Sequence, residues 1–178
     1  MSFRIEQKLY VDKENLLDLK KYLNKKSAKG IYVPRSIESL YFDNNHFDTF
    51  RDSVEGLVPR KKFRVRYYPK NEDKKIYFEI KNSSVEGRFK TRKILNDNEF
   101  EEKIRLGIFD NQYGLCYPKM YVRYDREYYL FKDVRISIDT NIQYRSYDTN
   151  FTIRYDRVIT ELKTSINKNL DELTEDFP

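Results

Sequence analysis

Charged and apolar residues alternate one by one in several segments of this chain, and that pattern constrains the fold more than any other feature. Lys62-Phe63-Arg64-Val65-Arg66-Tyr67 is the sharpest case. A β-strand turns successive side chains to opposite faces. Lys62, Arg64 and Arg66 therefore share one face, and Phe63, Val65 and Tyr67 the other. The pattern recurs in Arg4–Leu9, Tyr77–Lys81, Arg88–Arg92 and Ile159–Lys163. Five such rows predict a sheet with one greasy face and one shared polar face, rich in cations and suited to a polyanion.

The remaining segments set the frame. Phe3 to Val11 reads as the first strand. Asp12 reads as a helix cap, with Leu16, Leu19 and Leu23 following at helical spacing until Gly30. Ile37 to Asp43 reads as a strand with Ser39, Tyr41 and Asp43 on one face. A short helical turn spans Phe47, Phe50 and Val54. Val58–Tyr68, Ile76–Lys81 and Gly87–Leu95 read as successive strands joined by turns. Asp97 or Asn98 caps a helix that Gly107 ends. Gly114 and Pro118 mark a connector. Met120–Phe131 and Asp133–Tyr144 form a hairpin, and Arg157–Thr164 is the last strand. Asn167–Phe177 is a polar helix or tail. Short turns imply antiparallel pairing. The expected fold is α+β and mainly antiparallel β: about eight strands closed into a tunnel barrel, with a few connecting helices, in a single domain over residues 1–178. Closure would remove exposed edges and put every second residue inside.

Composition narrows the function classes. The 16 Tyr and 12 Phe supply core volume in a chain without Trp, and exclude a disordered polymer. Net charge is +6, from 35 basic and 29 acidic residues, so the arrangement of the cations says more than their sum. Cys116 is the single cysteine and His46 the single histidine, which leaves no disulfide and no His/Cys metal set. No apolar run approaches about 18 residues, and no signal peptide opens the chain. The expectation is a soluble, cytoplasmic domain with no direct membrane insertion, although a membrane partner fits the full-length protein. Walker loops and nucleophile elbows are absent from the sequence.

Three groups of residues carry the chemistry. The cations of the alternating strands are Lys8, Lys62, Arg64, Arg66, Lys81, Arg88, Lys90, Arg92, Arg126, Arg135 and Lys163. Arg meets phosphate oxygens in a fork, and Lys acts as a point charge. Interleaved carboxylates form the second group. Glu6 and Glu161 read equally as ligands for a hard divalent cation and as ion-pair partners; Glu79 and Asp139 read as ion-pair partners. Tyr41, Tyr68 and Tyr124 form the third, with Tyr124 the best candidate for a phosphate donor and the others read as core aromatics with a wet edge. Most aromatics fall on the apolar parity, which argues against stacking on single-stranded nucleic acid.

An ordered set of short motifs then carries a family resemblance. Arg4-x-Glu6-x-Lys8, Ser39-Leu40-Tyr41-Phe42-Asp43-Asn44, Lys62–Tyr67, Phe78-Glu79-Ile80-Lys81, Val122-Arg123-Tyr124-Asp125-Arg126, Val134–Thr140 and Glu161-Leu162-Lys163 occur in one order over roughly residues 3 to 164. Together they resemble the VTC domain, the polyphosphate polymerase module of the vacuolar transporter chaperone family, within the wider group of triphosphate tunnel metalloenzymes. The resemblance implies a basic tunnel, a divalent metal (Mn2+ or Mg2+), and transfer of the ATP γ-phosphate to phosphate or polyphosphate. Carried over by motif, Lys8, Arg64, Arg66, Lys81, Arg126 and Arg135 would bind phosphates, with Tyr124 beside them. Arg64, Arg66, Lys81, Arg126 and Arg135 would stabilise the transferring group. Glu161 would hold the metal, and Glu6 is a second candidate. Lys62, Lys90, Arg92 and Lys163 join the phosphate set by strand parity. Two departures stand out. Arg4 occupies the position where the wider tunnel enzymes carry a first glutamate, which disfavours a simple triphosphatase. The chain also ends about where VTC domains continue into a further basic segment, so truncation at the C-terminus is expected. Expected partners are ATP or another triphosphate and inorganic polyphosphate, with no nucleic acid. A metal-dependent triphosphate hydrolase and a non-catalytic polyphosphate-binding module are the rival readings.

Overall fold

The computed structural model of the chain describes residues 4–70, 72, 74–165 and 174. Its elements are β1 (Arg4–Asp12), a 3-10 turn (Lys13–Asn15), α1 (Leu16–Lys25), β2 (Lys29–Asp43), α2 (Asp48–Glu55), β3 (Arg60–Tyr67), β4 (Ile76–Ser84), β5 (Gly87–Leu95), α3 (Asp97–Leu106), β6 (Ile108–Asp110), β7 (Gly114–Phe131), β8 (Val134–Ser146), β9 (Thr152–Tyr155) and β10 (Arg157–Ser165). The fold is α+β with a mainly antiparallel sheet. Its main path of eight strands runs β1-β10-β8-β7-β2-β3-β4-β5, with β6 paired to β7 and β9 to β8. Among the described residues this path has two ends, β1 and β5, so the hydrogen bonds do not close the sheet as the sequence reading expected. No helix among the described residues is long and apolar enough to cross a membrane.

The chain divides into two compact units. Unit 1 comprises residues 1–36, 124–142 and 154–178. Its core forms where α1 lays Leu19 and Leu23, one helical turn apart, on Val11, Val134, Ile136, Ile138, Val158 and Leu162. Unit 2 comprises residues 37–123 and 143–153. Leu40, Phe42, Phe63, Val65, Leu95, Ile108, Tyr113 and Cys116 are buried together there, with Phe100 and Ile104 of α3 packed against them. In both units the core residues occupy one strand parity, which leaves the other parity for charge.

Local chemistry sets the helix ends. Asn96, one residue before the expected cap, closes a reciprocal capping box on α3: its side chain accepts from the Glu99 N–H at 2.8 Å, and the Glu99 carboxylate accepts from the Asn96 N–H at 3.0 Å. Asn96→Ala is expected to cost about 1 kcal/mol of stability, read as a lower urea midpoint at unchanged slope. Gly107 ends α3 at φ 78°, and a Cβ there would sit 2.8 Å from the Cys116 carbonyl oxygen, so only glycine fits. Asp43 accepts the backbone N–H groups of Asn44, Thr49 and Phe50 and so anchors the start of α2. That use removes it from the polar face to which parity assigned it.

Several expected boundaries move. α1 stops at Lys25, and Gly30 lies inside β2, which begins eight residues before Ile37 and runs through Pro34. β7 begins at Gly114, so the expected connector of Gly114 and Pro118 is strand. The short strands β6 and β9 add to the expected set. The Asn167–Phe177 segment lies outside the described residues apart from Thr174.

Candidate functional site

The polar face of unit 2 is built by register. Across β2, β3, β4 and β5, Tyr41 stands opposite Arg64, Arg64 opposite Glu79, and Glu79 opposite Arg92. Ser39 faces Arg66, and Lys62, Lys81 and Lys90 form a row one step along. The paired residues of this face on β3, β4 and β5 include eight cations (Arg60, Lys62, Arg64, Arg66, Lys81, Arg88, Lys90 and Arg92) and one carboxylate, Glu79.

Glu79 is the hub of this face. It is 1% exposed, and Arg64 is 5% and Arg66 7% exposed. Arg64 donates from Nε at 2.8 Å and from Nη2 at 2.5 Å to Glu79 Oε2. Lys90 Nζ lies 2.5 Å and Arg92 Nε 3.5 Å from Glu79 Oε1. Burial alone would raise the Glu79 pKa, but Arg64, Lys90 and Arg66 outweigh it and hold the carboxyl at about 2. Arg64 Nη1 donates to the Tyr41 hydroxyl at 3.0 Å, and Arg66 Nε donates to Ser39 Oγ at 3.0 Å. Both buried guanidiniums are thus aimed by neighbours on adjacent strands. The Arg92 guanidinium lies over the Tyr77 ring, 3.4 Å from its centroid. Lys62, Lys81, Lys90 and Arg92 are exposed.

Unit 1 carries a second polar face with a different balance. On β1 and β10, Glu6 pairs with Lys163 and Lys8 with Glu161; on β10 and β8, Lys163 pairs with Arg135 and Glu161 with Ser137. Lys163 Nζ lies 3.4 Å from Glu6 Oε1 and 3.2 Å from Glu161 Oε2, so one ammonium serves two carboxylates. Burial would push the Glu161 carboxyl up, but Lys163, then Arg126 and Lys8, bring it below its ordinary value. Arg126 grips Asp139 in a fork, Nε to Oδ1 at 2.5 Å and Nη2 to Oδ2 at 2.6 Å, and lies over the buried Tyr124 ring. Lys8 and Arg135 are exposed.

The sequence-derived candidates therefore fall into two sets. Unit 2 gathers Lys62, Arg64, Arg66, Lys81, Lys90 and Arg92. Unit 1 gathers Glu6, Lys8, Arg135, Glu161 and Lys163, with Tyr124 and Arg126 on the same sheet. Glu79 and Asp139 are ion-pair partners, as parity suggested. Tyr41, read from sequence as a core aromatic with a wet edge, turns its hydroxyl to Arg64, and Ser39 enters as the partner of Arg66. Their alternation on β2 was the available signal. Cys116 is fully buried, and burial, followed by the fields of Asp43, Asp110 and Asp48, pushes its thiol up to about 11, which removes it as a nucleophile.

The donor set can be tested against a divalent metal. Among the described residues no group of three or more His, Cys, Asp or Glu side chains could hold an ion. Glu161 and Glu6 are two carboxylates that share the Lys163 ammonium. Mg2+-type ions commonly take one or two carboxylates and complete their shell with substrate phosphates and water. The pair fits that kind of site and does not fit an all-protein cage.

Comparisons with known proteins follow the same fold. A provisional adenylate cyclase of Bacillus halodurans superposes with a TM-score of 0.61 at 14% identity, over 97% of this chain and 84% of that one. A provisional adenylyl cyclase of Hippeastrum, described as having a dominant triphosphatase activity, gives 0.57 at 15% identity over 98% and 86%. A provisional adenylate cyclase of Vibrio parahaemolyticus gives 0.58 at 10% identity over 97% and 82%. At these identities the likeness is one of fold. No curated protein matches the chain. The family model of the VTC domain matches residues 3–176, nearly the whole sequence, and the chain therefore belongs to the VTC domain family.

Proposed function

We propose that this chain is a polyphosphate polymerase-type phosphotransferase, moving the γ-phosphate of ATP onto phosphate or the end of a polyphosphate chain. The observation that carries the reading is the unit 2 face with eight cations against one carboxylate, two of its arginines buried. Two buried guanidiniums beside one buried carboxylate, ringed by exposed cations, make a field that favours an anionic ligand. A chain of phosphates has the charge spacing and the multiple acceptor oxygens to do so.

In this proposal Arg64, Arg66 and Lys81, with Lys62, Lys90 and Arg92, bind phosphate oxygens on unit 2. Lys8, Tyr124, Arg126, Arg135 and Lys163 do so on unit 1. Arg64, Arg66, Lys81, Arg126 and Arg135 stabilise the charge on the transferring group. Glu161, with Glu6, would hold Mn2+ or Mg2+, which when bound supplies further neutralisation at phosphoryl oxygens. An acceptor oxygen attacks the γ-phosphorus, the bond to the β-γ bridging oxygen breaks, and ADP leaves with that oxygen. No protein nucleophile intervenes. Closure of the sheet into a tunnel is part of this proposal.

Hydrolysis is the second reading, favoured by the triphosphatase activity described for the Hippeastrum protein of the same fold. It differs only in taking water as acceptor. Incubating the chain with γ-labelled ATP, phosphate and Mn2+ or Mg2+ separates the two. A ladder of labelled polyphosphate is the expected product. Labelled free phosphate without polymer would establish the hydrolase. Neither product, together with no binding of tripolyphosphate, would reject both enzymes. Tripolyphosphate is also expected to bind in the presence of excess oligonucleotide, whose competition would point to a nucleic-acid partner.

A further inference from the structure

Tyr41 differs from the other phenols whose ionisation the fold perturbs most. Tyr67, Tyr113 and Tyr129 donate to carboxylates, to Glu38, Asp52 and Glu127 respectively, and burial followed by those partners raises their pKa values. Tyr41 meets cations. Its oxygen accepts from Arg64 Nη1 at 3.0 Å, and the Arg64 guanidinium carbon lies 5.9 Å from its ring centroid. Burial would raise its pKa, yet Arg64, Arg66 and Lys62 outweigh burial and lower it.

A phenol has one proton to give, and no described residue accepts the proton of Tyr41. Arg64 has five N–H donors. Nε and one N–H of Nη2 go to Glu79 and one N–H of Nη1 goes to Tyr41, so each terminal nitrogen keeps one donor. The Tyr41 O–H and the remaining fork of Arg64 are thus unspent donors on adjacent strands in direct register. We propose that the Tyr41 hydroxyl donates directly to a non-bridging oxygen of the phosphate chain, beside the oxygen taken by Arg64. The inference rests on the proposed function and adds a ligand to it. A polarised O–H facing an anionic acceptor makes one of the stronger classes of hydrogen bond.

The test uses the whole chain, inorganic tripolyphosphate and no metal, with affinity read by calorimetry. Tyr41→Phe keeps the ring and is expected to bind about tenfold or more weakly, with its melting temperature little changed. The same loss is expected when Tyr41→Phe is combined with Arg64→Lys, because a direct contact does not act through Arg64. A loss that vanishes in the Arg64→Lys background would mean that Tyr41 only positions Arg64, and would overturn the proposal. So would equal affinity of Tyr41→Phe and wild type. Failure of the wild type itself to bind would overturn both this inference and the proposed function.

A second measurement needs only the wild type and Tyr41→Phe. The difference in their tyrosinate absorbance on alkaline titration isolates Tyr41, whose charged neighbours are Lys62, Arg64 and Arg66 on β3 and, beyond Arg64, Glu79 on β4. On adjoining β7, Lys119 is bonded to Asn45 and Arg123 lines a cavity beside Glu38. Tripolyphosphate is expected to move that ionisation to higher pH, since a donated proton is held by the ligand. An unmoved titration under saturating ligand would sink the contact.

Discussion

Glu79→Gln is expected to cost the fold about 3–5 kcal/mol and, in the same protein, to tighten its hold on tripolyphosphate. The two effects have one cause. Glu79 is the single carboxylate on the paired polar face of β3, β4 and β5 and neutralises Arg64, Lys90 and Arg92 at once. Removing its charge leaves a buried guanidinium without its counter-ion, the expensive way to break a buried pair. It also releases Lys90 and Arg92 to the ligand. Bound tripolyphosphate should then recover part of the lost stability, because anything that binds only the native state stabilises it by mass action. The pH dependence follows from the sign of the shift. The Glu79 carboxyl is held at about 2 against an ordinary 4.5, so its contribution is fully present above pH 4.5 and is lost as pH falls through about 2. Urea unfolding of wild type and Glu79→Gln near neutrality should therefore show a large gap that closes in acid. Equal stability near neutrality, or weaker tripolyphosphate binding by the variant, would contradict this account of the face.

The contrast between Glu79 and Tyr41 shows what the sequence could reveal. Parity is a local property. Two residues of strand reverse a side chain's direction twice, so Lys62, Arg64 and Arg66 could be put on one face before any pairing was known. The same holds for Glu6 with Lys8, and for Glu161 with Lys163. Partnership is not local. Tyr41 meets Arg64, and Glu6 shares Lys163 with Glu161, only because particular registers bring distant segments side by side. No spacing within one segment encodes those choices. The strand ends were obscured for another reason. Pro34 and Pro118 usually mark breaks or edges, yet β2 and β7 run through them. β6 and β9, three and four residues long, are too short to show a period. Closure was the least legible feature, because alternation is the same in an open sheet and a barrel.

Glu161→Gln is expected to lower metal-dependent turnover by about 10²–10³-fold while leaving metal-free tripolyphosphate affinity within about threefold of wild type, a change of roughly 0.7 kcal/mol or less. The substitution keeps the side chain's size and removes the charge that Lys163, Arg126 and Lys8 stabilise against burial. In the proposed function that charge holds the divalent cation, so Mn2+ affinity should fall together with turnover. Lys163 loses one of its two carboxylates and keeps Glu6, so the local cation field is preserved or strengthened. Binding and catalysis should therefore separate in this variant, whereas loss of Arg64 and Arg66 together would weaken both. A non-catalytic polyphosphate-binding module gives a different pattern: tight, salt-sensitive binding by the wild type, no turnover with any metal, and no loss in Glu161→Gln. Full turnover in the variant would remove Glu161 from the metal site and leave the cation face as the only part of the proposal standing.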